Sequence, residues 1–231
     1  MKKFRIFSVI IVLFVALIMP SAVNAQQMIV DGITIQLPDL NNPRHQELLK
    51  QRAKECVRQM NTYITSMTKK AERDANNELH PTLQDRNDFR TAALELFLDN
   101  GDSITLSNGV KGAPALMETS NGRTGFVNSR PVKDYFLRLI NMIIRNTYTE
   151  VKITSTDIEN MDATNLVKVG DRYQCVVTYY QDFVGRRGEI KAYADGTKKQ
   201  IVVWFVPYHS PYGDEVVPRL GDISAKETVL K

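Results

Sequence analysis

Few side chains in this 231-residue chain are arranged for chemistry, and their spacing excludes more than it offers. Asp182 follows Tyr179, Tyr180 and Gln181 and precedes Phe183 and Val184. A carboxylate beside tyrosines, with apolar neighbours that raise its pKa by desolvation, suits proton transfer. Asp182 also stands just before Gly185-Arg186-Arg187-Gly188, a turn sequence next to which a solvated carboxylate is ordinary. The three histidines are His45, His80 and His209, and no two have metal-ligand spacing, so no metal site is expected. GxSxG, HExxH and a phosphate-cradling glycine loop are absent, and no motif calls for a cofactor. Arg186 and Arg187, with Arg123 in Ser120-Asn121-Gly122-Arg123, are candidate anion-binding groups, because guanidinium donors pair with carboxylate or phosphate. The plainer alternative is a solvated hairpin tip. Cys56 and Cys175 either form one disulfide across a long loop or pack separately as small buried thiols.

The compartment bears on that choice. Lys2, Lys3 and Arg5 precede an apolar run from Ile6 to Met19, followed by Pro20, Ser21 and the small-residue site Val23-Asn24-Ala25. This is the pattern of a secretory signal, and it predicts cleavage after Ala25 and a periplasmic or secreted protein. The run is short of the ~20 residues that a membrane span needs, so membrane contact is expected only through the signal before cleavage. Removing those three cations from a formal net charge of +4 leaves +1, which offers nothing to a nucleic acid. With 43% hydrophobic residues, the chain is rich enough to build a core.

The elements that must position these groups follow from periodicity. Residues 26–43 read as an extended arm, with Ile33, Ile35 and Leu37 alternating before Pro38 and Pro43. Residues 44–80 hold a long amphipathic helix, predicted from about Arg44 to Asn77, with Leu49, Ala53, Cys56, Met60, Tyr63, Met67 and Ala71 on one face. Within 81–231 a second helix is expected over Leu83–Leu98, then a short strand at Ile104–Leu106 and another near Ala115–Thr119. A third helix begins after Ser129 and Pro131 and carries the stripe Val132, Tyr135, Phe136, Leu139, Ile140 and Ile143. Four strands follow: Val151–Ser155, Tyr173–Phe183, Gln200–Tyr208 and Pro218–Val229. Helices first and antiparallel strands after give an α+β domain, with helices packed on a curved sheet. The run Ile201–Val206 does not alternate, so both faces of that strand are expected to be covered, and a homodimer through the sheet is one way to cover the second.

Helix, helix, short strand pair, helix and four-stranded meander, in that order, resemble the nuclear transport factor 2-like cone, a cystatin-like superfold. Local motifs are also similar to those of an exported Bacteroidetes family with that shape. They are Ala93-Leu94-Glu95-Leu96-Phe97 with Gly101, Met117-Glu118-Thr119-Ser120 with Arg123, Pro131 to Phe136, Lys168-Val169-Gly170 and Leu220-Gly221-Asp222-Ile223. The resemblance covers about residues 83–229 and implies a pocket between sheet and helices. By that analogy Phe97, Tyr135, Leu139, Tyr179 and Trp204 are pocket candidates, although the same aromatics serve equally as core. The parity of the Tyr173–Phe183 strand is open: Tyr173, Cys175, Val177 and Tyr179 share one face, and Gln174, Val176, Thr178, Tyr180 and Asp182 share the other. Two functions follow from the resemblance. One is a non-catalytic binding or assembly module of the cell envelope, holding a small apolar ligand or another envelope protein. The other is a small pocket enzyme of isomerase, dehydratase or hydrolase type, with Asp182 as general base and Tyr180 beside it.

Overall fold

The computed structural model describes residues 27–30, 33–36, 40–102, 112–145, 147–169, 172–210 and 213–231. The signal expected at 1–25 and the strand expected at Ile104–Leu106 lie outside these residues. Strands β1 (Gln27–Val30) and β2 (Ile33–Gln36) pair as a hairpin. Helix α1 (Pro43–Thr68) starts where the Asn42 side chain accepts the Arg44 N–H, with Pro43 in the first turn. Its apolar stripe, Leu49 through Met67, is buried. It stops short of the expected Asn77 because Arg86 takes its last carbonyls: the guanidinium donates to Met67 O and, at 2.8 Å, to Lys69 O. The chain then makes a small hairpin of β3 (Glu72–Arg73) and β4 (Leu79–His80), whose turn is held by Asp74 accepting the N–H groups of Asn76 and Glu78.

Helix α2 (Leu83–Leu94) opens on a capping box formed by Thr82 and Asp85 and ends earlier than the apolar pattern predicts. A tight turn over Leu98–Gly101 follows. Gly101 has φ of 75°, and a Cβ there would lie 2.5 Å from Val132 Cγ2, so a side chain is excluded by space as well as by conformation. Strands β5 (Leu116–Ser120) and β6 (Val127–Pro131) form an antiparallel pair. The chain passes straight from β6 into α3 (Val132–Ile144), so Ser129 is strand rather than helix start.

Strands β7 (Glu150–Ser155), β8 (Asp162–Ala163), β9 (Val167–Val169), β10 (Arg172–Arg187), β11 (Ile190–Ser210) and β12 (Gly213–Leu230) complete the chain. The fold is α+β: among the described residues, three α-helices and a large, open, mixed sheet in the order β6-β5-β12-β11-β10-β7, with β8 and β9 also on β10. The four main C-terminal strands are adjacent and antiparallel, while β5 joins β12 in parallel. Ile201, Val203 and Phe205 are fully buried against the helices, and Val202, Trp204 and Val206 are half-buried on the other face. Trp204 covers part of that face itself: a Cβ on Gly221 would meet its Nε1 at 2.8 Å.

Cys56 and Cys175 are free, buried thiols, which removes the disulfide alternative. Cys56 packs from α1 toward Pro218, and burial pushes both thiols up to about 12. Iodoacetamide is expected to leave both untouched in the native protein and to modify both after unfolding. An intact mass showing an oxidised pair would contradict this arrangement.

Candidate functional site

Parity on β10 decides which groups can meet. Tyr173, Cys175, Val177, Tyr179 and Gln181 are buried toward the helices, so Asp182 and Tyr180 point away. Asp182 is a correction: it lies on the outer face, ion-paired at 2.5 Å with Lys231, with 38% of its side chain exposed. Tyr180 is exposed beside it, with Lys198 5.9 Å from its ring centroid. Phe183, one residue further along β10, faces the inner side.

On that inner side, α3 stands off from β5, β6, β10 and β11 and leaves a cavity of about 450 Å³. Helix α3 supplies Tyr135, Arg138, Leu139 and Met142, at the three- and four-residue steps of one helix face. Strand β11 supplies Tyr193, Asp195, Thr197 and Lys199 by strict alternation, and Phe183 and Gln181 stand opposite Asp195 and Thr197. Tyr148 closes one wall because its ring lies on the backbone of Gly185, where a Cβ would be 2.5 Å away. Tyr148, Phe183 and Tyr193 form successive edge-on or tilted ring contacts at 6.0 Å.

The polar end of the cavity is unusual. Lys199 is 3% exposed, and among the described residues no carboxylate lies within 4 Å of its amine. Its contacts are Met117 Sδ at 3.5 Å, Glu118 O at 3.4 Å and the Tyr135 ring, 5.8 Å to the centroid. Burial lowers its pKa to about 8 against the smaller opposing pull of Asp195 and Glu118. Asp195, also buried, is raised by desolvation, while the Tyr193 hydroxyl bond and the charge of Lys199 oppose. Tyr193 donates to the Asp195 carboxylate and accepts the Gly122 N–H at 2.9 Å; burial and Asp195 push it up to about 12. Burial likewise raises Tyr135 and Tyr179, so all three phenols stay protonated at neutral pH. Arg130 Nε and Tyr179 Oη are buried with no hydrogen-bond partner among the described residues.

Of the expected pocket groups, Tyr135 and Leu139 line the cavity. Phe97 and Tyr179 instead belong to the packed core, and Trp204 is on the opposite face of the sheet. Arg123 sits at the rim, its guanidinium 5.6 Å from the Tyr193 ring centroid and donating to Ala192 O at 3.2 Å. Arg186 and Arg187 are spent on the hairpin tip instead, bonding Glu189 O and Thr147 O. Histidine spacing also overlooked Asp74, Glu78 and His80, whose ligand atoms fall within 4.8 Å of one another. All three are exposed, and His80 Nδ1 already faces Asp85 at 3.1 Å.

Comparison of the chain with known protein families, curated proteins and solved structures finds no match in any of them. No described helix is long and apolar enough to cross a membrane.

Proposed function

We propose that this protein is an exported, non-catalytic binding module whose cavity holds a small aromatic or otherwise apolar molecule carrying an anionic group. The observation that carries this reading is the cavity lining: aromatic walls, with three cations, Arg130, Arg138 and Lys199, against the single carboxylate Asp195. Asp195 is already engaged by Tyr193, so the cationic excess is available to a ligand. A preformed, mostly apolar hollow with a few convergent polar groups is the usual form of a small-molecule site. The nuclear transport factor 2-like resemblance agrees with a pocket in this place, and the apolar run after Lys2, Lys3 and Arg5 with export.

Native mass spectrometry of the purified protein, first gentle and then dissociating, tests for a co-purifying molecule and gives the oligomeric state. The anionic preference is tested with 4-(hydroxymethyl)benzoate and its methyl ester. The acid is expected to bind more tightly than the ester, and Arg138→Ala to weaken it about fivefold, since the arginine stands at the solvent-exposed mouth. Equal affinity for acid and ester would remove the anionic part of the proposal.

A further inference from the structure

We infer that the Lys199 amine captures carbonyl compounds covalently, as a Schiff base, making the cavity a site for small aldehydes or ketones that bear an anionic group. The inference rests on the ligand-pocket reading and adds the reactive group. Three observations converge on it. Lys199 lines the cavity rather than ending in closed core, so a ligand reaches it. Its amine has no carboxylate within 4 Å among the described residues, only a thioether and a long carbonyl contact, so little holds its proton. The aromatic wall beside it, Tyr135 with Lys199 over its ring, suits the flat body of a conjugated carbonyl compound.

The reaction balances without redox chemistry. The nitrogen lone pair attacks the carbonyl carbon and forms the C–N bond, while a proton passes to oxygen to give a carbinolamine. Loss of the hydroxyl with the second amine proton releases water and leaves C=N. Asp195, facing the same cavity with its carboxyl raised by burial, is the group placed to carry these protons. The depressed amine supports the geometry: with a pKa of about 8, about a tenth of Lys199 is free base at pH 7, far more than for an exposed lysine.

The test treats the full protein at pH 7 with 4-carboxybenzaldehyde and sodium cyanoborohydride, then maps adducts by peptide mass spectrometry. The expected product gains one aldehyde less one oxygen atom at Lys199, formed about tenfold faster than at exposed lysines such as Lys69 and Lys70. Saturation with 4-(hydroxymethyl)benzoate, which has no carbonyl to react, is expected to protect Lys199. Adducts confined to exposed lysines, with Lys199 unmodified, would overturn the inference. If the benzoate still binds by calorimetry in that case, the pocket reading survives alone; if it does not bind, both fall. The decisive readout is on the wild-type chain, so no variant has to fold.

Discussion

Replacing Lys199 by methionine is expected to stabilise the protein at pH 7 by about 2 kcal/mol, although it removes the most distinctive group of the cavity. Burial lowers the Lys199 pKa from 10.5 to about 8, and at neutral pH that shift costs the folded state about 3 kcal/mol. Methionine has a similar length and no charge, and the sulfur of Met117 and the ring of Tyr135 are suitable neighbours for it. The long contact to Glu118 O contributes little when lost. Asp195 would lose a cation that favours its ionised form, which takes back part of the gain. The pH dependence follows from the sign of the shift. Between about pH 8 and 10.5 the unfolded lysine holds a proton that the folded one has released, so wild-type stability rises through that window. Above about pH 10 the raised phenols act in the other direction, in both proteins alike. Urea titrations at pH 7 and pH 9.5 should therefore show the advantage of Lys199→Met shrinking to under about 1 kcal/mol at the higher pH. A variant less stable than wild type at pH 7 would mean that the amine is compensated in solution, and it would remove the energetic case for a reactive lysine.

That a site should cost stability explains why it was hidden in the sequence. The three helices and the four late strands were legible because their apolar residues keep period against a common core. Tyr193, Asp195, Thr197 and Lys199 also keep period, but with polar side chains, because they face a cavity and not packed hydrocarbon. Between Gly185, Gly188 and Asp195-Gly196 such a stretch reads as a connection. It is instead the middle of a hairpin whose two strands run 16 and 21 residues. The signal that was present is the alternation itself, with Lys198 and Gly196 outward between inward groups. Asp182 misled for the complementary reason. Tyrosine lies on both faces of β10, so composition near Asp182 could not give its direction, and only register against Gly196 places it outside. Likewise, Phe97 and Tyr179 are closed into the packed core while Tyr135 also faces the cavity, a tertiary difference that no local pattern encodes.

The same stand-off sets the second large effect, a contrast between neighbours on α3. Phe136 is fully buried, packed edge-on against Phe97 at 6.0 Å, and Leu139, one helical step on, has one side against the cavity. Phe136→Ala deletes a ring whose contacts are complete on every side, and the neighbours can refill the void only in part. The expected loss is about 4 kcal/mol, enough to bring a domain of ordinary stability near the threshold of unfolding. Leu139→Ala removes atoms that already lack partners on the cavity side, so its expected loss is nearer 2 kcal/mol, the low end for such truncations. The void it leaves joins the existing hollow, where a larger ligand can use it. Urea midpoints of the two variants measure the difference directly. A clear gap between them requires the cavity to exist in the free protein. Equal losses would instead mean that the space beside Leu139 is closed in solution, and the aromatic pocket would then have to form around its ligand.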